Sequence, residues 1–347
     1  MMPEIKFNNI PNAERIRIFQ QISNEIGMPT FAVEKDWWVV QTLAAIFELE
    51  IAPYLVFKGG TSLSKAWKLI ERFSEDVDLA VDRSFFGFDG DLSKKQRTQL
   101  RKAASKYIST TLIKELEAKF IEKGLLNVEF KLVDTTESDQ DPTIIEIYYP
   151  NIINSPGYIK PKVQIEIGCR SLREPFSIQS IASLIDEQYP NTVFTENEIE
   201  IPTVNPERTF LEKIFLLHEE FQKPEEKIRV DRLSRHLYDI YQLSKTEFAT
   251  KALSDKSLYE TIVNHRYSFT RVSGVDYNLH QPQFINPIPN ETVLNAWKAD
   301  YILMQEQMIY VASPPFEEII KDLISLKDKI NSLDLKMESV FKIHVSE

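Results

Sequence analysis

The chain has 347 residues, 43% of them hydrophobic and 27% charged, which is the composition of an ordinary soluble globular protein long enough for two domains. The formal net charge of −11 excludes a uniformly cationic protein that coats nucleic acids, because overall acidity repels phosphate. The single cysteine, Cys169, excludes an intrachain disulfide and a cysteine-based zinc site and favours the reducing cytoplasm, and no apolar stretch is long enough to span a bilayer.

Two helices are predicted near the N-terminus, over residues 13–26 and 33–49, because apolar residues recur there at three- and four-residue spacing. The second is rich in aromatic and aliphatic residues, which we interpret as core residues. Short apolar runs then predict strands over residues 54–57 and 77–81, with a helix that begins near Thr61 between them.

A pair of glycines, Gly59 and Gly60, separates the first strand from that helix. Glycines let backbone N–H groups approach an anion closely, and a helix that begins at Thr61 or Ser62 offers further unpaired N–H donors. The pattern predicts a phosphate-binding turn, with a tight strand–helix turn capped by Thr or Ser as the alternative. Lys65, one turn into the helix, either contacts phosphate or faces solvent.

Two carboxylates, Asp76 and Asp78, stand at i and i+2 at the start of the second strand, so both emerge on one face of it. Such a pair suits Mg²⁺, or Mn²⁺, which prefers oxygen ligands and holds phosphates through them. Paired metals could then assist displacement at the α-phosphate of a nucleotide. A solvent-exposed acidic turn is the alternative.

Residues 93–124 are predicted to form a long, mostly polar helical stretch with nine Lys and Arg residues. Such a run either forms a cationic ridge for RNA or, more commonly, a solvated helix face. Three strands are predicted after it, over residues 127–133, 143–149 and 162–170.

A third metal ligand is expected on one of these strands. Glu166 is the first candidate, because it alternates with the apolar residues Ile165 and Ile167. Glu146 is the rival, and an exposed strand glutamate is the alternative interpretation of both.

Residues 177–201 are predicted to form a loop that leads into a strand, and the chain changes character near Pro202. We therefore divide it into an α/β domain with N-terminal helices over residues 1–201 and a helical domain over residues 202–347. The helices predicted in the second domain span residues 206–221, 233–243, 258–267, 291–310 and 316–333, with a proline-containing linker or ordered loop over 280–290.

Lys213 lies in an apolar helical stripe, where a lysine is unexpected unless it reaches an anion or extends to the surface. Arg235 and Asp239 stand at i and i+4, the spacing of a helix salt bridge. With neighbouring arginines and His236, they concentrate positive charge that a triphosphate or a nucleic-acid end could use. The histidines show no metal-binding spacing.

The sequence resembles the AbiEii/AbiGii-type nucleotidyltransferase toxin family, within the polymerase-β-like nucleotidyltransferase superfamily, over most of its length. The resemblance rests on KGGTSLSK at 58–65, RFSEDVDL at 72–79, ERTFLEK at 207–213, SRHLYD at 234–239 and a tail with ADY at 299–301, MIY at 308–310 and PPF at 314–316.

The chain departs from the family pattern in two places. Fourteen residues separate Thr61 from Asp76, which is more than the wider superfamily usually has. Position 236 is His where many relatives carry a second Asp, which leaves Asp239 as the acidic member of that motif, with Asp231 as the fallback.

The resemblance implies an α+β fold, with a mixed-sheet nucleotidyltransferase core and a helical C-terminal domain. It also implies a cytoplasmic toxin of a bacterial toxin–antitoxin or phage-defence (abortive infection) system, with a cognate antitoxin as partner. The enzyme would transfer nucleotides from an NTP, with Mg²⁺ or Mn²⁺, to an acceptor such as the 3′ end of tRNA, release pyrophosphate, and so block translation.

In that role Asp76, Asp78 and Glu166 would hold the metal. The turn from Gly59 to Ser62 would hold the β- and γ-phosphates, with Ser62 or Thr61 donating a hydroxyl. Lys213 would neutralise the triphosphate, and Asp239 would orient Lys213 or an acceptor hydroxyl. The alternatives are transfer of AMP or UMP to Ser, Thr or Tyr of a protein, a non-catalytic binding module on the same fold, and a phosphohydrolase that uses the same metals.

Overall fold

The structure, a computed structural model, describes residues 6–133, 141–155, 160–171 and 173–342. These residues form two compact units. The first contains the chain up to Trp67 together with Phe73–Val204, and the second contains Lys68–Arg72 together with the residues from Asn205 onward. The second unit therefore includes five residues that lie, in sequence, between the glycine pair and the Asp-x-Asp pair.

A mixed sheet forms the centre of the first unit. Its strands are β1 (Leu55–Lys58), β2 (Asp76–Val81), β3 (Glu129–Leu132), β4 (Thr143–Tyr148), β5 (Lys162–Gly168), β6 (Phe176–Ile181) and β7 (Ile199–Val204). In the described residues these seven strands have the order β3-β4-β5-β2-β1-β7-β6. The β1–β7 and β2–β5 pairs are parallel and the other pairs are antiparallel, which confirms the predicted α+β class with a mixed-sheet core.

Strand β2 lies between β1 and β5, near the middle of the sheet. Its residues alternate, as a strand requires: Val77 and Leu79 are completely buried, whereas Asp76 and Asp78 are half-buried on the opposite face. Burial of one apolar face fixes the register, so the two carboxylates have to share the other face.

The helices of the first unit are α1 (Asn12–Ile26), α2 (Thr30–Ile46), α3 (Gly59–Lys65), α4 (Lys94–Tyr107), α5 (Ile113–Glu122) and α6 (Leu184–Gln188). Helix α2 packs against β2 and β5 and is buried almost throughout, so the interpretation of its apolar residues as core is confirmed. It also buries three consecutive charged residues, Glu34, Lys35 and Asp36. The long polar helix predicted over 93–124 is present as α4 and α5, which a π-helical turn at Ile108–Leu112 joins.

The second unit is helical, as predicted. Its helices are α7 (Pro206–Glu220), α8 (Ser234–Ser244), α9 (Glu247–Ser254), α10 (Lys256–Phe269), α11 (Glu291–Met308) and α12 (Phe316–Asn331). Asp300 on α11 accepts hydrogen bonds from the backbone N–H groups of Arg232 (2.8 Å) and Ser234 (3.0 Å). A carboxylate from a distant helix thereby caps the start of α8. No helix in the described ranges is both long and apolar enough to cross a bilayer.

Two regions differ from the sequence prediction. Residues 177–201 were predicted as a loop that leads into a strand; the strand is present as the start of β7, but most of β6 and all of α6 stand where the loop was expected. Strand β6 lies at the edge of the sheet and leaves Ile178 55% exposed. Half of its residues are Ser or Gln, which in the sequence are typical of a loop. Helix α9 was not predicted, because its eight residues are too few to show a clear period.

Candidate active site

A row of charged residues crosses the exposed face of the central strands. In the backbone register Asp78 lies opposite Lys58 on β1 and opposite Glu166 on β5. Asp76, two residues earlier on the same face, lies opposite Gln164. The sheet therefore places the predicted carboxylates Asp76, Asp78 and Glu166 side by side on one surface.

The electrostatics of Glu166 reflect this placement. Burial, together with the negative charges of Asp78 and Asp76, raises the pKa of Glu166 above its ordinary value. Gln164 Nε2 donates a hydrogen bond of 2.9 Å to Glu166 Oε1, which opposes part of that effect. A raised pKa is expected for a carboxylate on a partly buried surface with like charges close to it.

The rival third carboxylate, Glu146, lies one strand farther away. It is opposite Gln164 on β5, so that strand separates it from Asp76. Its carboxylate accepts hydrogen bonds from Lys162 and from the Tyr148 hydroxyl (2.6 Å). A carboxylate that is already neutralised by a lysine is less suited to a metal, so the geometry favours Glu166 over Glu146.

The glycine turn meets the carboxylate row directly. Gly59 has φ +80°, a conformation that favours glycine, and it begins α3 immediately after β1. A Cβ atom at this position would lie 2.0 Å from Asp78 Oδ2. The backbone therefore approaches the Asp78 carboxylate so closely that only glycine fits.

Both hydroxyl groups of the turn are used inside the protein. The Thr61 hydroxyl lies 2.5 Å from the backbone carbonyl oxygen of Asp76 and 2.9 Å from Ser74 Oγ, and the Ser62 hydroxyl donates to the Gly59 carbonyl (2.9 Å). Thr61 and Ser62 are completely buried. Their hydroxyls stabilise the turn and attach it to β2, which differs from the expectation that they contact phosphate.

Two lysines with little exposed surface form ion pairs beside this region. Lys65 Nζ lies 2.8 Å from Asp36 Oδ1 of α2, so it neither faces solvent nor stands free for an anion. Lys35 Nζ lies 2.5 Å from Glu75 Oε2, and Glu75 immediately precedes Asp76. Burial lowers the pKa of Lys35, and the charge of Glu75 opposes that shift. These pairs fix the glycine turn and the start of β2 onto helix α2.

The donor set fits a hard divalent cation. Asp76 and Asp78 offer carboxylate oxygens on one half-buried face, next to a turn that can approach Asp78 closely because position 59 lacks a side chain. Among the residues that the structure describes, no three His, Cys, Asp or Glu side chains are grouped to hold a metal on their own. Mg²⁺ is commonly held by one or two carboxylates plus the phosphates of its substrate, so the arrangement fits that mode.

The other predicted residues lie in the second unit. Arg72 makes a bidentate pair with Asp239, through Nε to Oδ1 (2.7 Å) and Nη2 to Oδ2 (2.8 Å). Lys213 Nζ lies 2.9 Å from Asp239 Oδ2. Asp239 is completely buried and Lys213 is 7% exposed, so the lysine reaches an anion and does not extend to the surface.

In this cluster one carboxylate lies between two cations. Burial alone would raise the pKa of Asp239, but the charges of Arg72 and Lys213 hold it below its ordinary value. Burial lowers the pKa of Lys213, against the charge of Asp239. Burial and the Lys213 charge also lower the pKa of His236, whose neutral Nδ1 lies 3.3 Å from Lys213 Nζ. Because Asp239 is fully buried, it can orient Lys213 but has no exposed surface that an acceptor hydroxyl could contact.

Two of the remaining sequence expectations also change. The positive charge expected before α8 is partly compensated, because Arg229 donates to the buried Glu220 through its side chain (2.7 Å) and its backbone (2.8 Å). Asp231, the fallback for Asp239, is exposed on the surface. Asp239 is thus the aspartate that the lysine contacts.

Sequence reasoning missed Arg72, Lys35 and Lys58 as individual residues. Arg72 and Lys35 bind carboxylates 167 and 40 positions away, a separation that no local pattern shows. The position of Lys58 directly before the glycine pair was a usable signal, since the antiparallel pairing of β1 with β2 sets it beside Asp78.

Comparison with known proteins gives a family and two similar structures. The model of the nucleotidyl transferase AbiEii toxin family, described as a type IV toxin–antitoxin system, matches residues 41–322. MenT4, a nucleotidyltransferase toxin from Mycobacterium tuberculosis, is 14% identical, with 94% of this chain and 100% of that chain covered and a TM-score of 0.46. JHP933 from Helicobacter pylori is 14% identical, with 84% of this chain and 89% of that chain covered and a TM-score of 0.41. A search of curated protein sequences finds no match.

Proposed function

Because the chain belongs to the AbiEii family of nucleotidyltransferase toxins of type IV toxin–antitoxin systems, we propose that it transfers nucleotides from an NTP to the 3′ end of tRNA. The reaction takes place in the cytoplasm, where both substrates are, and it stops growth by preventing aminoacylation. A cognate antitoxin counteracts the toxin. The tRNA acceptor rests on the family resemblance of the sequence motifs.

One observation carries the proposal: the close approach of the glycine turn to Asp78. A Cβ at Gly59 would lie 2.0 Å from Asp78 Oδ2, so the turn and the carboxylate form one continuous surface. A triphosphate bound along the turn would therefore lie beside carboxylates able to hold its counter-ion. The contact would not be required if the glycines only formed a tight turn, or if the aspartates only formed an acidic surface.

Asp76 and Asp78 would hold Mg²⁺ or Mn²⁺, with Glu166 as the third carboxylate. When bound, the metal neutralises charge that develops on the phosphates and orients the attacking oxygen. The ribose hydroxyl oxygen of the acceptor attacks the α-phosphorus, and the bond to the β-phosphate breaks to release pyrophosphate. The hydroxyl proton passes to solvent as the oxygen attacks.

The chain's cations would serve the triphosphate in different ways. Lys58 lies opposite Asp78 in the register, where its ammonium group can reach a phosphate at the carboxylate row. Lys213 would supply positive charge to the triphosphate, with Asp239, itself held by Arg72, fixing its position and favouring its protonated form. Lys65 supports the turn through Asp36.

Labelled substrates test the reaction and the acceptor together. The purified protein is incubated with each α-³²P-labelled NTP, Mg²⁺, and total tRNA or total bacterial protein. We expect label in tRNA, loss of labelling with EDTA, and recovery with Mg²⁺ or Mn²⁺. Label found only in protein would show that the acceptor is a Ser, Thr or Tyr side chain and not tRNA. Release of phosphate with no labelled acceptor would indicate a phosphohydrolase.

Growth provides the second readout. We expect expression of the protein alone in bacteria to arrest growth and to lengthen tRNA by the added nucleotides. If wild-type protein labels no acceptor and binds no triphosphate in the presence of Mg²⁺, the fold serves as a binding module and the proposed reaction is wrong.

A further inference from the structure

Helix α4 carries a concentrated positive charge on an acidic protein. Its sequence, KKQRTQLRKAASKY, has six Lys and Arg residues and no Asp or Glu, whereas the whole chain has a net charge of −11. Lys94, Lys95, Lys102 and Lys106 are exposed, and none of them forms an ion pair with a residue in the described ranges. Surface lysines elsewhere, such as Lys251 with Glu247, have an acidic neighbour on the same helix.

The lysines of α4 are ordered along the helix. At about 100° per residue, Lys95, Lys102 and Lys106 fall within about 40° of one another and form one stripe. The buried residues Leu100 and Ala104 lie on a different side of the helix. The stripe therefore points away from the packed core of the first unit.

The exposed surface of α4 distinguishes between two kinds of partner. Protein interfaces have apolar and aromatic residues at their centre and few lysines there. None of the large hydrophobic residues that are exposed in the described part of the chain lies on α4, whose exposed residues are lysines and polar side chains. A cationic, polar surface without an apolar centre is typical of contact with a nucleic-acid backbone.

The position of α4 in the first unit determines how long a ligand must be to contact both α4 and the carboxylates. Its last residue, Tyr107, packs against Phe85 and Phe86, which follow the far end of β2. Asp76 stands at the other end of that strand, and its six residues separate the two ends by about 17 Å. A ligand that contacts both the carboxylates and the last turn of α4 would have to span a distance of this order, as a nucleic-acid strand does.

We propose that the α4 lysine stripe (Lys95, Lys102 and Lys106) is a docking surface for the phosphate backbone of the acceptor RNA, away from its reacting 3′ end. The inference rests on the proposed transfer to tRNA for its ligand. The stripe raises the affinity for long RNA and takes no part in the chemical step. Since each lysine replaces counter-ions on phosphate, the affinity must fall as salt rises.

The test replaces all three lysines, as K95E/K102E/K106E. The matched control is K321E/K329E/K336E, which makes the same charge change at three other exposed lysines. Binding of deacylated full-length tRNA is measured by fluorescence anisotropy over a range of salt concentrations, without NTP. Nucleotide transfer is measured on full-length tRNA and on a short oligonucleotide with the tRNA 3′-terminal sequence.

We expect the stripe variant to weaken tRNA binding on the order of 10- to 100-fold and to reduce the slope of log affinity against log salt by about one for each lysine. KM for full-length tRNA should rise while transfer to the short oligonucleotide stays unchanged, and the control should behave as wild type.

Equal tRNA binding by stripe variant and wild type would overturn the docking surface, even if transfer is intact. Loss of binding to an acidic protein partner with tRNA binding unchanged would also overturn it. Absence of RNA labelling by wild type would instead count against the proposed acceptor, and the binding comparison would still decide the docking surface.

Discussion

The two groups of charged residues that carry the proposed function differ in how their charge is balanced. On the sheet of the first unit, Asp76, Asp78 and Glu166 place three carboxylates on one half-buried face, and the pKa of Glu166 is raised by burial and by the other two. In the second unit, Asp239 is completely buried between Arg72 and Lys213, and the pKa of Asp239 is held below its ordinary value.

The first group is a surface whose negative charge needs a ligand, whereas the second group contains a carboxylate that already has its counter-ions. Like charges held together destabilise a protein until a cation binds between them. A buried carboxylate with two cations already has its counter-charge, and it contributes to the fold by holding both partners. Substitutions in the first group should therefore reduce activity most, and those in the second should reduce stability most.

The largest effect is expected at the carboxylate row. Asp76→Asn and Asp78→Asn keep the side-chain shape and remove the charge that holds the metal, so kcat/KM should fall at least ~10³-fold, about 4 kcal/mol of transition-state stabilisation. Thermal unfolding should be unchanged or slightly improved. Labelled-nucleotide incorporation and calorimetry measure the two effects, and wild-type-like incorporation by both variants would refute the metal assignment.

The second effect concerns the buried pair. Asp239→Ala leaves Arg72 and Lys213 buried without a counter-charge, so the free energy of unfolding should fall by about 3–5 kcal/mol. Because the pKa of Asp239 is depressed in the folded state, wild type should keep this contribution at neutral pH and lose it only under acid conditions, as the pH falls below the ordinary aspartate range.

The control for this substitution is Asp328→Ala, since Asp328 is 67% exposed and lies beside Lys327. Its effect on denaturant unfolding should stay within about 0.5 kcal/mol. If Asp239→Ala unfolds like the control but loses activity, the pairing of Asp239 with its two cations serves the reaction and not the stability of the fold, and the contrast between the two groups disappears.

The third effect tests the contact between turn and carboxylate. Gly59→Ala introduces a Cβ 2.0 Å from Asp78 Oδ2, and Gly274→Ala introduces one at the same φ of +80° with nothing within 4 Å. Both substitutions carry the backbone cost, roughly 1 kcal/mol. Only the first should also displace Asp78 and reduce kcat/KM, by about 100-fold. Equal activity of the two variants would show that the turn does not shape the site.

The smallest effect is a gain of stability. Glu166→Gln removes one of the like charges, so the protein without metal should be more stable at neutral pH by about 0.5–1 kcal/mol, the scale of a cross-strand charge pair. The pKa of Glu166 is raised in the folded state, so its ionisation costs stability as the pH rises above its ordinary value. The gain should vanish near pH 4, and metal affinity, measured by calorimetry with Mn²⁺, should fall.

The sequence allowed the central strands and their chemistry to be predicted for a physical reason. Asp76 and Asp78 alternate with buried apolar residues, and that two-residue period places them on one face whatever the rest of the chain does. The glycine pair marks the turn because few other residues adopt its backbone conformation. Lys213 was noticed because a charge in an apolar stripe requires a partner.

What could not be predicted depends on contacts between distant parts of the chain. The pairing of Arg72 with Asp239 spans 167 positions, and nothing near either residue specifies the other. The hydroxyls of Thr61 and Ser62 were expected to face a ligand, but packing of α3 against β2 turns them inward. Strand β6 escaped prediction because an edge strand tolerates polar residues that in the sequence are typical of a loop.

The short segment Lys68–Arg72 belongs to the second unit although both of its neighbours in the chain belong to the first. The polypeptide therefore passes from one unit to the other three times, and neither unit is encoded by one uninterrupted stretch of the gene. A fragment that stops after Val204 would retain Arg72 and lack Asp239, so we expect it to be recovered as aggregate or proteolysed material. For the same reason, exchanging the C-terminal halves of two related toxins should give soluble chimeras only when these five residues and the C-terminal half come from the same toxin.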